Sequence, residues 1–286
     1  MSNGVADIFR QAAALNRSDP RRKGNLIALE KNAEVIVSGD IHGNRANLSK
    51  IIAYAALDRF ADRRLILQEI IHGPPDKQTG HDRSVDLLIR VARLKAAHPM
   101  GAVFILGNHD LAQATGCEIT KDGQGVCKAF VQGVRFAFSE SAEEILEAIT
   151  EFILSMPLAV RCPNGVLICH SLPSARQMAK AGPDILLDGP YRPEDLRRGG
   201  GVYEWTWGRG QTASQLEELA KKSGASFFVL AHQFLETGFE LLSPRGMVVI
   251  SEHEHGCILR FAASEPLTGE TALSHVRPIV ALDNAI

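Results

Sequence analysis

Side chains of the kinds that bind metal ions follow four short apolar segments of this chain. They are Asp40 and His42 after 35–37, Asn108 and His109 after 103–106, His170 after 166–169, and His232 after 227–230. A single histidine in such a place is usually a helix cap or a buried core residue. Four such arrangements in one chain are hard to attribute to capping, so they predict a site that these residues share.

Phosphate ester hydrolysis is the chemistry that these residue types suit. The reaction needs a hydroxide nucleophile at neutral pH and neutralisation of anionic oxygens, and two metal ions roughly 3.5–4 Å apart supply both. Mixed carboxylate, imidazole and amide ligands favour Mn, Fe or Zn, of which we expect Mn. A further histidine that does not bind metal can protonate the leaving oxygen.

The first 110 residues alternate between strand and helix patterns. Apolar runs at 35–37, 65–67 and 103–106 predict buried strands, and helical periodicity appears at 5–15, 47–56 and 85–94. This order favours a parallel sheet covered by helices. In such sheets, ligands bind at the carboxyl ends of the strands, which is where the polar residues fall.

The second half of the chain has shorter strands. We expect strands at 158–162, 166–169, 227–230, 239–242, 247–251 and 257–261, and helices at 142–154 and 215–222. Trp205 and Trp207 alternate in a way that indicates a strand or a groove wall, and 182–201 is expected to be a surface loop. We predict one α/β domain over 1–286, with its core at 34–261, an N-terminal helix and a C-terminal extension at 264–286.

Composition narrows the range of partners and compartments. The net charge of −2 over 286 residues gives no basic excess for nucleic acid, and the short run Arg21-Arg22-Lys23 is expected in a solvated loop. No stretch approaches the ~20 apolar residues that span a bilayer, so we expect no membrane segment. Five cysteines without a C-x-x-C pair indicate reduced thiols in a cytoplasmic protein.

The motifs in their order also resemble a known family. Gly39-Asp40-Ile41-His42-Gly43, then Gly107-Asn108-His109-Asp110, then His170 and His232, look like the calcineurin-type metallophosphoesterases. Within that superfamily, VLICHSLP at 166–173 and Ala231-His232-Gln233 are similar to the phosphoprotein-phosphatase-type Ser/Thr phosphatases. The resemblance covers about 34–261 and implies a four-layer α/β/β/α sandwich.

The resemblance also implies a role for each matching position. Asp40 and His42 would bind the first metal, and Asn108, His170 and His232 the second. His109 would be the general acid, oriented by Asp110. Asn108 and an arginine would hold the phosphate. We assign Arg209 to this task because it precedes a helix leading to the His232 strand, with Arg45, Arg83, Arg197 and Arg198 as the other candidates.

The second motif of the family is altered here. In place of Gly-Asp-x-x-Asp-Arg-Gly, the chain has Gln68-Glu69-Ile70-Ile71-His72-Gly73. Glu69 then replaces the metal-bridging Asp, and its extra methylene moves the carboxylate by about 1 Å, a shift that can matter in catalysis. His72 either reaches a metal or caps the loop. Asp76 is a rival carboxylate, although its Pro-Pro-Asp-Lys context is typical of a turn.

Three functions therefore remain open. The first is a dinuclear phosphoesterase acting on phosphate monoesters, including phosphoproteins. The second is hydrolysis of phosphodiesters or dinucleoside polyphosphates, because the motifs contact only the phosphate. The third is a degenerate metal- or phosphate-binding regulatory protein, which the altered second motif suggests.

Overall fold

The computed structural model describes residues 3–121, 123–174, 176–178 and 180–282. The helices in these ranges are α1 Asn3–Arg17, α2 Arg45–Ala55, α3 Val85–Ala97, α4 Asn108–Thr115, α5 Val126–Phe138, α6 Ala142–Ile153, α7 Gly201–Trp207, α8 Ala213–Ser223 and α9 Gly269–His275. Short 3-10 turns lie at Ser139–Ser141, Pro183–Leu186 and Ile279–Ala281.

The strands follow the same chain order. They are β1 Arg22–Lys23, β2 Leu26–Ala28, β3 Glu34–Asp40, β4 Arg63–Gln68, β5 Ala102–Ile105, β6 Thr120–Lys121, β7 Gln124–Gly125, β8 Ala159–Arg161, β9 Val166–Cys169, β10 Phe227–Leu230, β11 Phe239–Ser243, β12 Gly246–Val249, β13 Cys257–Ala262 and β14 Val276–Pro278. All nine strands expected from the sequence are present, with bounds shifted by a few residues at most.

The strands form two mixed sheets and a small hairpin. One sheet has the order β1-β2-β8-β9-β10-β12-β11, the other has the order β14-β13-β3-β4-β5, and β6 pairs with β7. The pairs β3–β4 and β4–β5 are parallel, as predicted, and so are β9–β10 and β10–β12.

Side chains on the inner strands alternate between two apolar cores. Val35 and Val37 of β3 pack in the core between the sheets, together with Val229 of β10, whereas Ile36 and Phe228 point into the helix-covered core. Successive residues of a strand face opposite sides of its sheet, so a strand buried on both faces must be apolar throughout. The layers are therefore helix, sheet, sheet, helix, and the predicted α/β/β/α architecture is confirmed.

The strand registers bring the functional segments to one edge of the sandwich. Asp40 at the end of β3 pairs in register with Gln68 at the end of β4, and Gln68 pairs with Ile105 at the end of β5. In the other sheet, Ile168 of β9 pairs with Val229 of β10. The loops that follow these five parallel strand ends therefore meet.

Two local predictions were wrong. Trp205 and Trp207 lie in the helix α7, not in a strand, and Trp205 is buried with its indole N–H donating to the Ala181 carbonyl. Two tryptophans spaced by two are too few to establish a strand period. The basic run is not a solvated loop either: Arg21 is buried in a bidentate pair with Asp19, and Arg22 begins β1.

The C-terminal extension belongs in part to the second sheet. The helix α9 leads to β14, which pairs with β13 in antiparallel fashion. Residues 283–286 of the predicted extension lie outside the described ranges. Among the described helices, none combines the length and apolar character that crossing a membrane requires. The five cysteines, all of them described, are free thiols.

Candidate metal centre

Each predicted metal ligand lies at or just beyond the carboxyl end of a strand. Asp40 ends β3 and His42 lies two residues after it, Glu69 follows β4, and Asn108 begins α4 after β5. His170 follows β9, and His232 lies two residues after β10. The structure brings all of these side chains together at the edge where the two sheets meet.

The backbone at these positions is unusual. Among the described residues other than glycine, six have a positive φ, and four of them are His42 (41°), Glu69 (46°), His72 (64°) and His232 (64°). Such conformations cost free energy for residues with a Cβ atom and concentrate at functional sites. Three of these four residues, His42, Glu69 and His232, line the same cavity, so the backbone itself points to a function here.

Two buried carboxylates lie at the centre of the cleft. Glu69 Oε1 accepts a hydrogen bond of 2.6 Å from the His109 backbone N–H, and Asp40 Oδ2 accepts one of 3.2 Å from the His232 backbone N–H. Their other oxygens, Glu69 Oε2 and Asp40 Oδ1, are buried and make no hydrogen bond with any described residue. Leaving such atoms unpaired is costly, and a bound cation would supply the missing partner.

Two groups of potential ligands share Glu69. Asp40, Glu69 and His170 form one, and His42, Glu69 and His109 form the other, with the ligand atoms of each group within 4.8 Å of one another. Each group offers the carboxylate and imidazole donors that could hold a divalent ion, and Glu69 belongs to both. The grouping differs from the family pattern, which pairs Asp40 with His42 and leaves His109 unbound.

Burial and neighbouring charges raise the pKa of both carboxyl groups. For Glu69, burial is the largest cause, followed by repulsion from Asp40 and Asp110. For Asp40, burial comes first and the charge of Glu252 second. Bound cations would oppose both effects, because an adjacent positive charge favours the ionised carboxylate.

The buried histidines are held in the neutral form that binds metals. Burial, and then the neighbouring His232, lower the pKa of His170 well below its usual range. Its Nδ1 lies 3.0 Å from Gln68 Oε1 and its Nε2 lies 2.9 Å from Asn108 Oδ1. Burial and the Arg209 charge lower the pKa of His232 to about 3, and its Nε2 accepts a hydrogen bond of 3.1 Å from Arg209 Nε.

His109, the predicted general acid, contacts another histidine. Its Nδ1 lies 2.9 Å from Nδ1 of His72, whose Nε2 lies 3.0 Å from Gln113 Oε1. Burial lowers the pKa of His72 to about 4, so His72 is neutral, donates to Gln113 and accepts from His109. Asp110 Oδ2 accepts a 3.3 Å hydrogen bond from the Gly107 N–H. Its orienting role on His109 stays a prediction.

Among the candidate arginines, Arg209 lies at the cleft. It lines a cavity of about 230 Å³ together with Asp40, Glu69 and His232. Arg45 and Arg83 instead pair with Asp86. Neither these two nor Arg197 and Arg198 are among the described residues that line this cavity.

The rival carboxylate Asp76 forms a turn. Its Oδ1 accepts hydrogen bonds from the backbone N–H groups of Gln78 and Thr79 and from the Thr79 hydroxyl. These bonds agree with the turn that its Pro-Pro-Asp-Lys context indicates, and they leave Glu69 as the carboxylate shared by the two ligand groups.

Sequence reasoning missed Glu252 as a site residue. Glu252 lies three residues after the end of β12, lines the same cavity, and places its Oε2 3.9 Å from His42 Nε2. The signal was available, because an apolar strand followed by an acidic residue repeats the pattern of the other ligands. Gln113 was also missed, since its role depends on a tertiary contact with His72.

The close approach of Glu69 explains why the residue before Asn108 is a glycine, Gly107. A Cβ atom at this position would lie 2.2 Å from Glu69 Oε1 and 2.4 Å from Glu69 Cγ. The missing side chain therefore lets the Glu69 carboxylate lie directly against the start of α4.

No protein-family model matches this sequence, and no curated protein sequence matches it. Solved structures do resemble it. A protein serine/threonine phosphatase from Saccharomyces cerevisiae with similarity to human phosphatase PP5 has a TM-score of 0.67 and 16% identity, covering 92% of this chain and 83% of its own.

A second similar structure is the cold-active protein-tyrosine phosphatase of a psychrophilic Shewanella species. It has a TM-score of 0.58 and 14% identity, covering 89% of this chain and 84% of its own. These likenesses show the fold. The chain thus has the α/β architecture of known phosphatases.

Proposed function

We propose that this protein is a dinuclear metal-dependent phosphoesterase that hydrolyses phosphate monoesters. The observation that carries the proposal is the shared Glu69 carboxylate, which belongs to both ligand groups and has a buried oxygen without a hydrogen bond to the described residues. The phosphatase titles of both similar structures support the substrate class. Phosphoproteins are one possible source of such esters.

Asp40, His42, Glu69, Asn108, His170 and His232 would hold the ions. Two divalent ions would supply positive charge to the phosphate oxygens and a nucleophilic water at neutral pH. We expect these ions to be Mn, with Fe and Zn as the alternatives. The chain itself provides the remaining steps.

His109, with both ring nitrogens protonated, would donate the proton of its second nitrogen to the leaving oxygen and keep the proton on Nδ1. His72 accepts a hydrogen bond from His109 Nδ1, so the second nitrogen of His109 is the one that can face the ester. Asn108 and Arg209 would hold the phosphate, since Arg209 lines the cleft and carries a guanidinium suited to phosphate oxygens.

Chelation and metal analysis test the proposal. Purified protein stripped with EDTA should lose hydrolysis of p-nitrophenyl phosphate, and Mn²⁺ should restore it with about two ions bound per chain. Asp40→Asn should lower kcat at least ~100-fold, because it removes a carboxylate from one ligand group. His255→Ala, a change at an exposed histidine of the loop after β12, should leave activity unchanged.

The rival functions correspond to other outcomes. Full hydrolysis by metal-stripped protein would refute metal-dependent catalysis. One bound ion or none, without turnover, would favour a regulatory binding protein. Preference for bis-p-nitrophenyl phosphate or for a dinucleoside polyphosphate would place the enzyme among phosphodiester or polyphosphate hydrolases.

A further inference from the structure

A larger cavity adjoins the candidate metal centre. Its volume is about 640 Å³, and it shares His42, Phe234 and Glu252 with the smaller cavity, which five of the six predicted ligands line. The remaining walls come from the loop after β4, the β6–β7 hairpin, the start of α5 and the loop after β12. A molecule bound at the metal centre can therefore extend into this space.

The position of His109 indicates which part of a substrate would extend there. His72 lines the larger cavity and lies 2.9 Å from Nδ1 of His109, the proposed proton donor to the leaving oxygen. The rings of His42 and His109 are also packed edge to face, with centroids 4.5 Å apart. His109 itself lines the smaller cavity, which meets the larger one at His42, Phe234 and Glu252, so an alcohol that leaves from beside His109 has this space next to it.

Five apolar side chains form one part of the lining, and none of the described residues that line the cavity is Lys or Arg. Pro74, Pro75, Val126, Ala129 and Phe234 supply the apolar surface. Phe234 is 69% exposed, although it lies next to a buried catalytic cleft. An aromatic ring left open beside a reaction centre offers a stacking surface to a ligand ring.

Charge argues against an anionic leaving group. None of the described residues lining this cavity is Lys or Arg, whereas Asp82 and Glu252 both line it. A second phosphate placed here would meet a carboxylate and no compensating cation. Nucleotides and dinucleoside polyphosphates would therefore bind poorly on this side.

We infer that this cavity is a leaving-group subsite that selects aryl phosphate monoesters, with Phe234 as a specificity-determining residue. The inference rests on the proposed phosphoesterase function. The ring of a small aryl phosphate or that of a phosphotyrosine residue in a peptide would stack on Phe234 while the phosphate lies at the metal centre.

Phe234→Ser tests this subsite with two substrates. In the Mn²⁺-loaded protein, KM for 2-naphthyl phosphate should rise about five-fold, the loss expected for one stacking contact, while KM for glycerol 1-phosphate should stay unchanged. The variant is compared with the wild type on each substrate separately, because an aryl phosphate is intrinsically more reactive than an alkyl phosphate. Phe136→Ser is the matched control, because Phe136 is half-exposed and does not line either cavity.

A phosphotyrosine peptide tests the second source of the ring. A Phe234-dependent KM for both the peptide and 2-naphthyl phosphate would identify ring recognition in either context. Dependence for 2-naphthyl phosphate alone would restrict the subsite to small esters. Equal KM changes for 2-naphthyl phosphate and glycerol 1-phosphate, or no change for either, would overturn the inference.

Binding of 2-naphthol separates this inference from the proposed function. NMR titration of the full-length protein without added metal should give a Kd that is about five-fold weaker in Phe234→Ser and unchanged in Phe136→Ser. If no ester is hydrolysed but this difference is found, the phosphoesterase proposal fails and the aryl subsite stands. If esters are hydrolysed without any Phe234 effect on KM or Kd, the subsite alone fails.

Discussion

At the scale of single residues, Glu69 is the carboxylate that both groups of potential ligands share. Its backbone has a φ of 46°, its Oε1 accepts a hydrogen bond from the His109 N–H, and its Oε2 has no hydrogen bond to the described part of the chain. The turn and the absence of a side chain at Gly107 place the longer carboxylate between the two ligand groups. A glutamate can thereby occupy the place expected of an aspartate.

Glu69→Gln should show whether Glu69 or the rival Asp76 is the carboxylate that binds both metal ions. The variant keeps the size of the side chain and loses its charge, so at least one Mn²⁺ per chain should be lost. Metal affinity should fall by more than the ~10–100-fold that is typical when a residue hydrogen-bonded to a metal ligand is mutated. Metal content and titration calorimetry measure both quantities. Asp76→Asn should bind two ions, and loss of metal in that variant instead would contradict the assignment.

His72 should matter most for substrates that need a proton on departure. His72→Ala removes the acceptor for His109 Nδ1, so kcat for an alkyl phosphate should fall roughly 100-fold, whereas kcat for p-nitrophenyl phosphate should change little. His72→Asn, which retains an acceptor, should recover part of the loss. Steady-state kinetics with both esters provide the measurement.

The control for His72 lies in the same loop. His81 stacks on Phe136 and does not line the catalytic cleft, so His81→Ala should leave both substrates unaffected. An equal loss for alkyl and p-nitrophenyl phosphates in His72→Ala would indicate a structural defect rather than a role in positioning the acid.

At the scale of elements, strand ends and the turns after them position the site. Strands β3, β4 and β10 were predictable because their residues are apolar on both faces. Helices α4 and α5 were not predicted. Helix α4 is short and begins within the Gly-Asn-His-Asp motif itself, with its buried face carrying polar residues as well as Leu111. Local periodicity is weak where functional residues occupy the inner face.

The end of α3 contains a buried lysine that should make the stability of the protein depend on pH. Lys95 Nζ donates to the carbonyls of Pro99 and Ala102 and lies 3.9 Å from Asp19 Oδ2. Burial lowers its pKa from the usual 10.5 to about 8, an effect that Asp19 partly opposes. Between these pH values the unfolded chain binds more protons than the folded one, so the free energy of unfolding increases as the pH is raised.

Comparison with Lys95→Met isolates this contribution. The free energy of unfolding of the wild type should rise relative to that of the variant between pH 8 and 10.5, by about 3 kcal/mol for a pKa difference of this size. Urea unfolding at a series of pH values measures it. Parallel pH profiles for the two proteins would show that the folded-state pKa is not lowered.

At the scale of the whole molecule, the candidate centre joins the two sheets. Asp40 and Glu69 follow strands of the five-stranded sheet, and His170 and His232 follow strands of the seven-stranded sheet. The His232 N–H already donates to Asp40 Oδ2 across this boundary. Ions held by ligands from both sheets would bind the folded state alone and stabilise it.

Metal binding should therefore raise Tm. Mn²⁺ at about 100 times its Kd stabilises the folded state by ~2.7 kcal/mol, which corresponds to a rise of roughly 5 °C for a chain of this size. Differential scanning fluorimetry with and without Mn²⁺ measures the shift. His170→Ala and Asp40→Asn, one from each sheet, should both abolish most of it, and His255→Ala should retain it. A full Mn²⁺ shift in either ligand variant would contradict joint binding.

The single domain over 1–286 and the cytoplasmic location stay predictions. The sequence by itself determined the strands and the ligand-bearing segments, because apolar runs and the residues that end them are local features of the chain. The four-layer architecture was implied by the family resemblance. Glu69 was predicted as a ligand from the match of 68–73 to the second motif of the family. The conclusions about strands and segments need only the order of residues and the geometry of parallel strands.

Only the tertiary structure decided which side chains meet. His72 contacts His109 and Gln113, and Glu252 lies near His42 in the cleft. The residues in these pairs are 37 to 210 positions apart in the sequence. Their positions depend on loop conformations with positive φ and on the packing of two sheets, neither of which leaves a periodic pattern in the sequence. The same packing brings the exposed ring of Phe234 beside the cleft, where we propose that it contacts the leaving group.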